Sequence, residues 1–483
     1  MRIVIDLQSC QSGSKRGGIG RYSMELAKAM AREPRGHELW LVLSALMPES
    51  VAEVRIAFDG LIPKDKIQVF DLPHHVDMRA SPPARVRAAE IIREEFLRSL
   101  KPDFVHISSL FEGFDEDVVT SVDQHFAGHK TAVTVYDLIP LVHGALYFAD
   151  GKRRDFYERK IQNIKNAGLM LAISEFSRRE AIDLLDMEPG SVVNISSAVD
   201  PRFMPTPSDP GKVARVLSRY GIRRQFLMYT ARFDLLKNQT NLIAAFARLP
   251  RKLRKDYQLV IVGKGSEETL NKLNQLAEKS GLEAGEVVFP GHVVDIDLVA
   301  LYNLCYLFVL PSLAEGFGLP ALEAMSCGTA TIGSNLTSVP EVIGWSEALF
   351  DPTSPELMAK KIHQALTEPG FLQALRDHGL SQAKKFSWKR TAESAFDAFE
   401  SQYAQPKAIM DSGGPDKVKE LARSPSRLIN AADRVGDVVN KLIHADDASS
   451  LSNQELMQIA TAVAANTIKL ERLFSTAGVH DRN

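Results

Sequence analysis

Four side chains within about ninety residues of this sequence have the types and spacing to hold a charged, hydroxyl-rich ligand. Glu315 and Glu323 enclose Gly316-Phe317-Gly318-Leu319-Pro320-Ala321-Leu322. One carboxylate accepts hydrogen bonds from two neighbouring hydroxyls at once, so two carboxylates beside bare amides suit a polyol such as a sugar. Gly316 and Gly318 let a ligand come close to the backbone and offer N–H donors. Upstream, Arg232 and Lys237 frame Phe233-Asp234-Leu235-Leu236. A guanidinium fork and an ammonium ahead of a helix form a clamp for a diphosphate. Plainer readings exist: Glu323 as a charge favoured by a helix N-terminus, Glu315 as solvated, and the two cations as loop residues in water. The occurrence of the Glu pair about eighty residues downstream of the Arg and Lys favours the ligand.

These groups need elements that place them. The apolar run Leu307-Phe308-Val309-Leu310 reads as a buried strand, and Pro320 sits well in the first turn of a helix over Pro320–Met325. The Glu pair therefore lies on a strand–loop–helix junction, where ligands sit in open α/β sheets. Arg232 and Lys237 follow the strand-like Phe226–Thr230 and precede a helix over Gln239–Ala247. Two further strand ends carry glycine turns: Ile261-Val262-Gly263-Lys264-Gly265 and Phe289-Pro290-Gly291-His292-Val293. Neither is a Walker A loop.

The same strand–helix rhythm runs through most of the chain. In the first half, strands are expected at Arg2–Leu7, Leu39–Leu43, Ile67–Phe70, Phe104–Ile107, Thr131–Tyr136, Leu169–Ile173 and Val192–Ile195. After a Pro-rich linker, Pro201 to Pro210, the second half adds Phe226–Thr230, Gln258–Val262, Val287–Phe289, Leu307–Leu310, Ala330–Ile332 and Ala348–Phe350. This alternation predicts α/β architecture, two doubly wound domains with a cleft between them. The expected boundaries are 1–200, 201–385, a returning segment 386–403, and a helical extension or linker 404–483. Within that extension, helices are expected over Asp416 to Ile443 and over Asn453 to Phe474, the second behind a Ser452-x-x-Glu455 capping box. Leu456, Ile459, Val463 and Leu470 mark one apolar face of the second helix, to be packed on the core or on a second copy.

The Glu-x7-Glu stretch resembles the signature of retaining nucleotide-sugar glycosyltransferases of family 4, which have the GT-B fold of two Rossmann-like domains. The resemblance covers roughly residues 1 to 403. It implies that Arg232 and Lys237 bind the donor diphosphate, that Glu315 meets the donor sugar, and that Glu323 meets the ribose diol. It implies that the turns at Gly263, His292 and Val293 approach the nucleotide, and that Gly316, Phe317, Gly318 and Leu319 line the donor loop. Gly17-Gly18-Ile19-Gly20-Arg21-Tyr22 is similar to the family's glycine-rich loop, which puts Gly18 near the donor phosphates. Many relatives carry His-Asp where this chain has Tyr136-Asp137. A Tyr donates one hydrogen bond to a sugar hydroxyl but is no base near neutral pH, so the His role does not transfer. Asp137 is expected to orient cations or a sugar hydroxyl, or else to be a turn residue. Ser174 reads mainly as a helix cap. His106 and His143 are acceptor-side candidates that read more simply as structural.

The implied reaction is retaining transfer of a hexose, with GDP-mannose favoured as donor through overall resemblance to bacterial O-antigen and capsule mannosyltransferases. A UDP-sugar remains an alternative donor. No cofactor is expected and, with no Asp-x-Asp at a strand end, no metal. The acceptor would be a lipid-linked or oligosaccharide glycan. The rivals are a nucleotide-sugar epimerase and an inactive sugar-nucleotide-binding domain of a larger synthase.

Composition restricts partners. Lys and Arg total 58 against 60 Asp and Glu, a net charge of -2, which argues against general nucleic-acid binding. Cys10, Cys305 and Cys327 have no metal-like spacing and fit a reducing cytosol. Membrane contact is expected to be peripheral at most, at the inner face, with the basic run Lys152, Arg153, Arg154, Arg159 and Lys160 as one candidate for anionic lipid and a solvated helix face as the alternative. Self-association would run through the C-terminal helices.

Overall fold

The computed structural model describes residues 1–122, 130–207, 209–404 and 453–477. The first sheet has seven strands: β1 (Arg2–Asp6), β2 (Glu38–Ser44), β3 (Ile67–Phe70), β4 (Phe104–Ile107), β5 (Lys130–Val135), β6 (Leu169–Ala172) and β7 (Val192–Asn194), in the order β3-β2-β1-β4-β5-β6-β7. The second has six: β8 (Gln225–Thr230), β9 (Tyr257–Val262), β10 (Val287–Gly291), β11 (Leu307–Leu310), β12 (Thr331–Ser334) and β13 (Leu349–Phe350), in the order β10-β9-β8-β11-β12-β13. Every ladder is parallel. Each expected strand is present. The reason is visible in β11, whose Leu307, Phe308, Val309 and Leu310 are all fully buried: helices cover both faces, so such strands are apolar throughout. In each sheet the strand order reverses, between β1 and β4 and between β8 and β11. The carboxyl ends of those strands open a crevice there.

The linker is shorter than its prolines suggest. Pro210 begins a helix, Pro210–Arg219, because Asp209 caps it by accepting the Gly211 and Lys212 N–H groups. The helix Trp388–Ala404 packs against the helix Gly18–Arg32 of the first domain. Ala395, Phe396 and Phe399 are buried, and the Phe399 ring lies 5.2 Å from that of Phe104 on β4. Arg35 bonds Asp397 and Glu400 at 2.6 and 3.2 Å. Such exposed pairs contribute little each, so buried apolar area holds the helix.

The basic run is not a free cationic patch. Lys160 is buried and donates to the Thr120 carbonyl and hydroxyl. Arg159 pairs with Glu90, Arg153 bonds Asp115 at 3.1 Å, and Lys152 bonds the Arg79 carbonyl at 2.9 Å. Four of the five cations thus have partners within the first domain.

The last described helix, Asn453–Ala477, lies against the helix Pro83–Ser99 of the first domain. Ile459, Val463 and Leu470 are buried there, Glu455 pairs with Arg85 at 2.6 Å, and Asn466 exchanges two hydrogen bonds with the Asp71 backbone at 2.7 and 2.9 Å. The apolar face expected to cover the core or a second copy covers the core. The side chains Ile459, Val463 and Leu470 are thus packed within the chain, and self-association through the C-terminal helices is not shown. Ser452 and the helix expected over 416–443 lie outside the described residues. No described helix is long and apolar enough to cross a membrane.

Candidate functional site

The carboxyl ends of the two sheets face each other across a cleft of about 520 Å³, within the usual range for ligand pockets. Gly18, Tyr136, Asp137, Arg232, Gly263, His292, Val293, Gly316, Phe317, Gly318, Leu319 and both glutamates line it. Lys237 is joined to it through Glu315.

Local chemistry sets each wall. After β8, Asp234 accepts the N–H groups of Leu236 and Lys237 and starts a single tight turn, Leu235–Lys237. Asn238 ends the turn in a left-handed conformation and donates to the Pro311 and Pro352 carbonyls at 2.8 Å each. The turn is thereby tied to the Glu loop, and Lys237 Nζ lies 2.7 Å from Glu315 Oε1. Ser312 Oγ donates to the same oxygen at 2.8 Å, while the Glu315 N–H and carbonyl are held by Thr337 and Ser338. Burial opposes the charge on Lys237, but Glu315 outweighs it and holds the ammonium above its ordinary pKa. Arg232 reaches into the cleft from an exposed position. Gly263 closes the wall beside it: a Cβ there would stand 1.8 Å from the Ala231 carbonyl oxygen, so only glycine fits.

Glu323 is on the first turns of the helix Leu319–Ser326, half-buried at the cleft. Burial raises its pKa to about 7, although the Tyr302 hydroxyl, donating at 2.7 Å, favours the charged form. Tyr302 is in turn paired with Thr230 at 2.8 Å. A carboxyl raised this way is protonated well above the unfolded value. Its neutral form stabilises the fold below about pH 4.5, and that contribution is lost as pH rises through about 7. If the carboxylate is the form that accepts a diol, nucleotide affinity rises about tenfold between pH 6 and pH 8. Glu323→Gln flattens the profile; an unchanged slope in a calorimetric titration with GDP would refute the assignment.

The first domain supplies Gly17, Gly18, Arg16 and Arg21 from the loop and helix after β1, and Tyr136 and Asp137 from the end of β5. Arg21 bonds Asp295 across the cleft at 3.1 Å. The phenol of Tyr136 corrects an expectation. Its hydroxyl is turned inward, 3.0 Å from the Ser108 carbonyl and 2.9 Å from Ser23 Oγ, and is not presented to a sugar hydroxyl. The backbone of Tyr136 is what meets the second domain. Asp137 is half-buried, and its desolvation pushes the carboxyl above the usual range even though it accepts the Ile139 N–H at 3.1 Å. His106 is a core residue: burial lowers its pKa to about 4, and Nε2 pairs with Thr134 Oγ1 at 2.8 Å. His143 is half-buried between two short helices.

Sequence reasoning missed the contacts that join the two walls. Ser177 Oγ donates to the Tyr136 carbonyl at 2.9 Å and to the Gly316 carbonyl at 3.1 Å. Glu341 of the second domain accepts the Glu175 and Phe176 N–H groups at 3.0 and 3.4 Å, at the start of the helix Glu175–Leu185. Ser174 caps that helix as expected, accepting the Ser177 N–H. Among the described residues, no group of three or more His, Cys, Asp or Glu is placed to hold a metal ion.

Residues 16–203 match the Glycosyltransferase Family 4 model, and residues 220–384 match Glycosyl transferases group 1. The serotype-specific mannosyltransferase WbdA of Escherichia coli is 34% identical over 97% of this chain and 54% of its own length, so the chain spans about half of that relative. The O-antigen chain mannosyltransferase B of E. coli is 29% identical over 79% of this chain and 95% of its own. Among solved structures, Anabaena HepE in complex with UDP-glucose superposes with a TM-score of 0.62 at 17% identity, covering 83% of this chain and all of its own, a likeness of fold. The two facing Rossmann-like domains, with family matches on each and the Glu pair at their junction, place this chain in the family 4, group 1 glycosyltransferases of GT-B fold.

Proposed function

We propose that the chain is a retaining, metal-independent mannosyltransferase that uses GDP-mannose and extends a lipid-linked or lipopolysaccharide glycan. The observation that carries this reading is the clustering of Lys237, Glu315, Arg232 and Glu323 on one wall of the cleft. The names of the E. coli relatives support mannose, and O-antigen assembly supports the glycan acceptor.

The chemistry follows from charge. The C1–oxygen bond to the diphosphate breaks while the acceptor oxygen attacks C1 from the same face. The acceptor proton passes to the departing phosphate oxygen, which leaves as GDP. Arg232, Lys237 and the amides at Gly316 to Leu319 stabilise the charge that develops on the diphosphate. Glu315 accepts hydroxyls of the sugar, and Glu323 those of the ribose. Lys264 and Arg16, also in the cleft, add positive potential.

The test is incubation with GDP-mannose and a short mannan acceptor, with and without EDTA, followed by NMR of the product. An α-linked product from the α-donor, formed equally with EDTA, is expected. A β-linked product overturns retention. Loss with EDTA overturns metal independence. Turnover with UDP-sugars alone keeps the reaction class and overturns the mannose assignment.

A further inference from the structure

Ser197 follows β7 and is 1% exposed, yet its hydroxyl finds no hydrogen-bond partner among the described residues. It lines the same cleft as Glu323 and the Gly318–Leu319 helix start, from the opposite domain. A buried hydroxyl without a partner keeps its full desolvation cost, so a native protein that retains one inside a ligand cleft points to a ligand atom.

The loop is built to hold it there. Ile195 extends the β6 pairing through its N–H to the Ala172 carbonyl at 2.9 Å. Ser196 has φ +65°, a left-handed conformation uncommon for serine. Asn194 accepts the Ser196 N–H at 2.8 Å, and the Tyr22 hydroxyl donates to the Ser196 carbonyl at 2.9 Å. Tyr22 is itself set edge-on against Tyr136 and Trp388, with ring centroids 5.4 and 5.2 Å away. Three elements thus hold a strained residue in place, and the side chain that follows it is left unpaired at the cleft. Strain of this kind persists where the surroundings over-determine it, and it concentrates at ligand sites.

We infer that Ser197 Oγ donates a hydrogen bond to the nucleoside-diphosphate part of the donor. The inference rests on the donor-site reading above and deepens it. The diphosphate is the part favoured by the surroundings: Arg16, Arg21 and the N-terminus of the helix Leu319–Ser326 line the same cleft, and their positive potential draws anionic oxygens. Arg232, Lys237 and Glu323 belong to the second domain, whereas Ser197 belongs to the first. The contact therefore forms only when the domains are closed, and it makes bound nucleotide part of what holds them together.

The test compares the full chain with Ser197→Ala by thermal unfolding without ligand and by calorimetric titration with GDP, UDP and GDP-mannose. The expected result has two parts. The free variant melts at or above the wild-type temperature, because an unsatisfied group has been removed. Its Kd for GDP and for GDP-mannose rises about tenfold, the loss of one charge-assisted hydrogen bond. A lower melting temperature with unchanged nucleotide affinity would show a structural hydroxyl and overturn the inference. Loss of affinity for GDP-mannose but not for GDP would move the contact to the sugar and also overturn it. Wild-type protein that binds neither GDP nor UDP defeats the donor-site reading itself, and the inference with it.

Discussion

Lys237→Ala is expected to lower kcat for sugar transfer by about 10²–10³-fold, with a smaller change in KM. The ammonium sits 2.7 Å from Glu315 Oε1 in a place where burial strengthens its field. Two effects of its removal act in the same direction. The charge that balances the departing diphosphate is gone, and the Glu315 carboxylate is left facing that diphosphate with the Ser312 hydroxyl as its one side-chain partner among the described residues. The free carboxylate then repels what the lysine attracted. For this reason the two positions are coupled. Lys237→Ala combined with Glu315→Ala costs clearly less than the product of the single effects, because residues in one ion pair are not additive. Single-turnover rates at saturating donor separate the chemical step from binding. A kcat within threefold of wild type would remove Lys237 from the reaction.

Gly316→Ala is the second large effect, and it works through shape. A Cβ at Gly316 would lie 2.4 Å from the Tyr136 carbonyl oxygen and 3.0 Å from Asp137 Cβ, both in the other domain. Neither neighbour yields easily, since one is backbone and the other is the Cβ of the half-buried Asp137, fixed by its own backbone. The added methyl holds the walls apart at the Glu loop. It also disturbs the Ser177 bridge to the Gly316 carbonyl. Misplacement of reacting groups by about 1 Å costs on the order of 10²-fold in rate, so kcat/KM for the donor should fall by about that factor. Each domain keeps its own core, and the melting temperature should change little. Small-angle scattering should report a more open particle. Wild-type kcat/KM together with an unchanged scattering profile would show that the contact is not required.

The sequence was most readable where structure is local. Strands buried on both faces leave continuous apolar runs, so the two sheets could be traced before any coordinates. The Glu315–Glu323 spacing and the turn around Lys237 are likewise contained within a dozen residues or fewer, and both emerged where expected. What stayed hidden was direction and distance. Tyr136 is evident as a residue type, but only packing shows that its phenol bonds Ser108 and Ser23 within the first domain. The orientation of Glu323 depends on Tyr302, and Glu341 meets a helix start in the other domain. No spacing rule links such partners, because their proximity is created by the fold. Lys160 has the same lesson: within a run of cations it looked solvated, and the fold buries it against Thr120.

The returning helix has a consequence for how this protein is made. Phe104 lies on β4 of the first domain, but the ring that covers it, Phe399, is synthesised almost three hundred residues later. Tyr22 waits in the same way for Trp388. A ribosome therefore releases the whole second domain before the first has its cover, and domains tend to fold as they emerge. During that interval the first domain carries an uncovered apolar strip beside β4, of the kind that invites association with other nascent chains. Shortening the gene to end before Trp388 would make that interval permanent, and the product should collect in the insoluble fraction even though the residues of the cleft are all present.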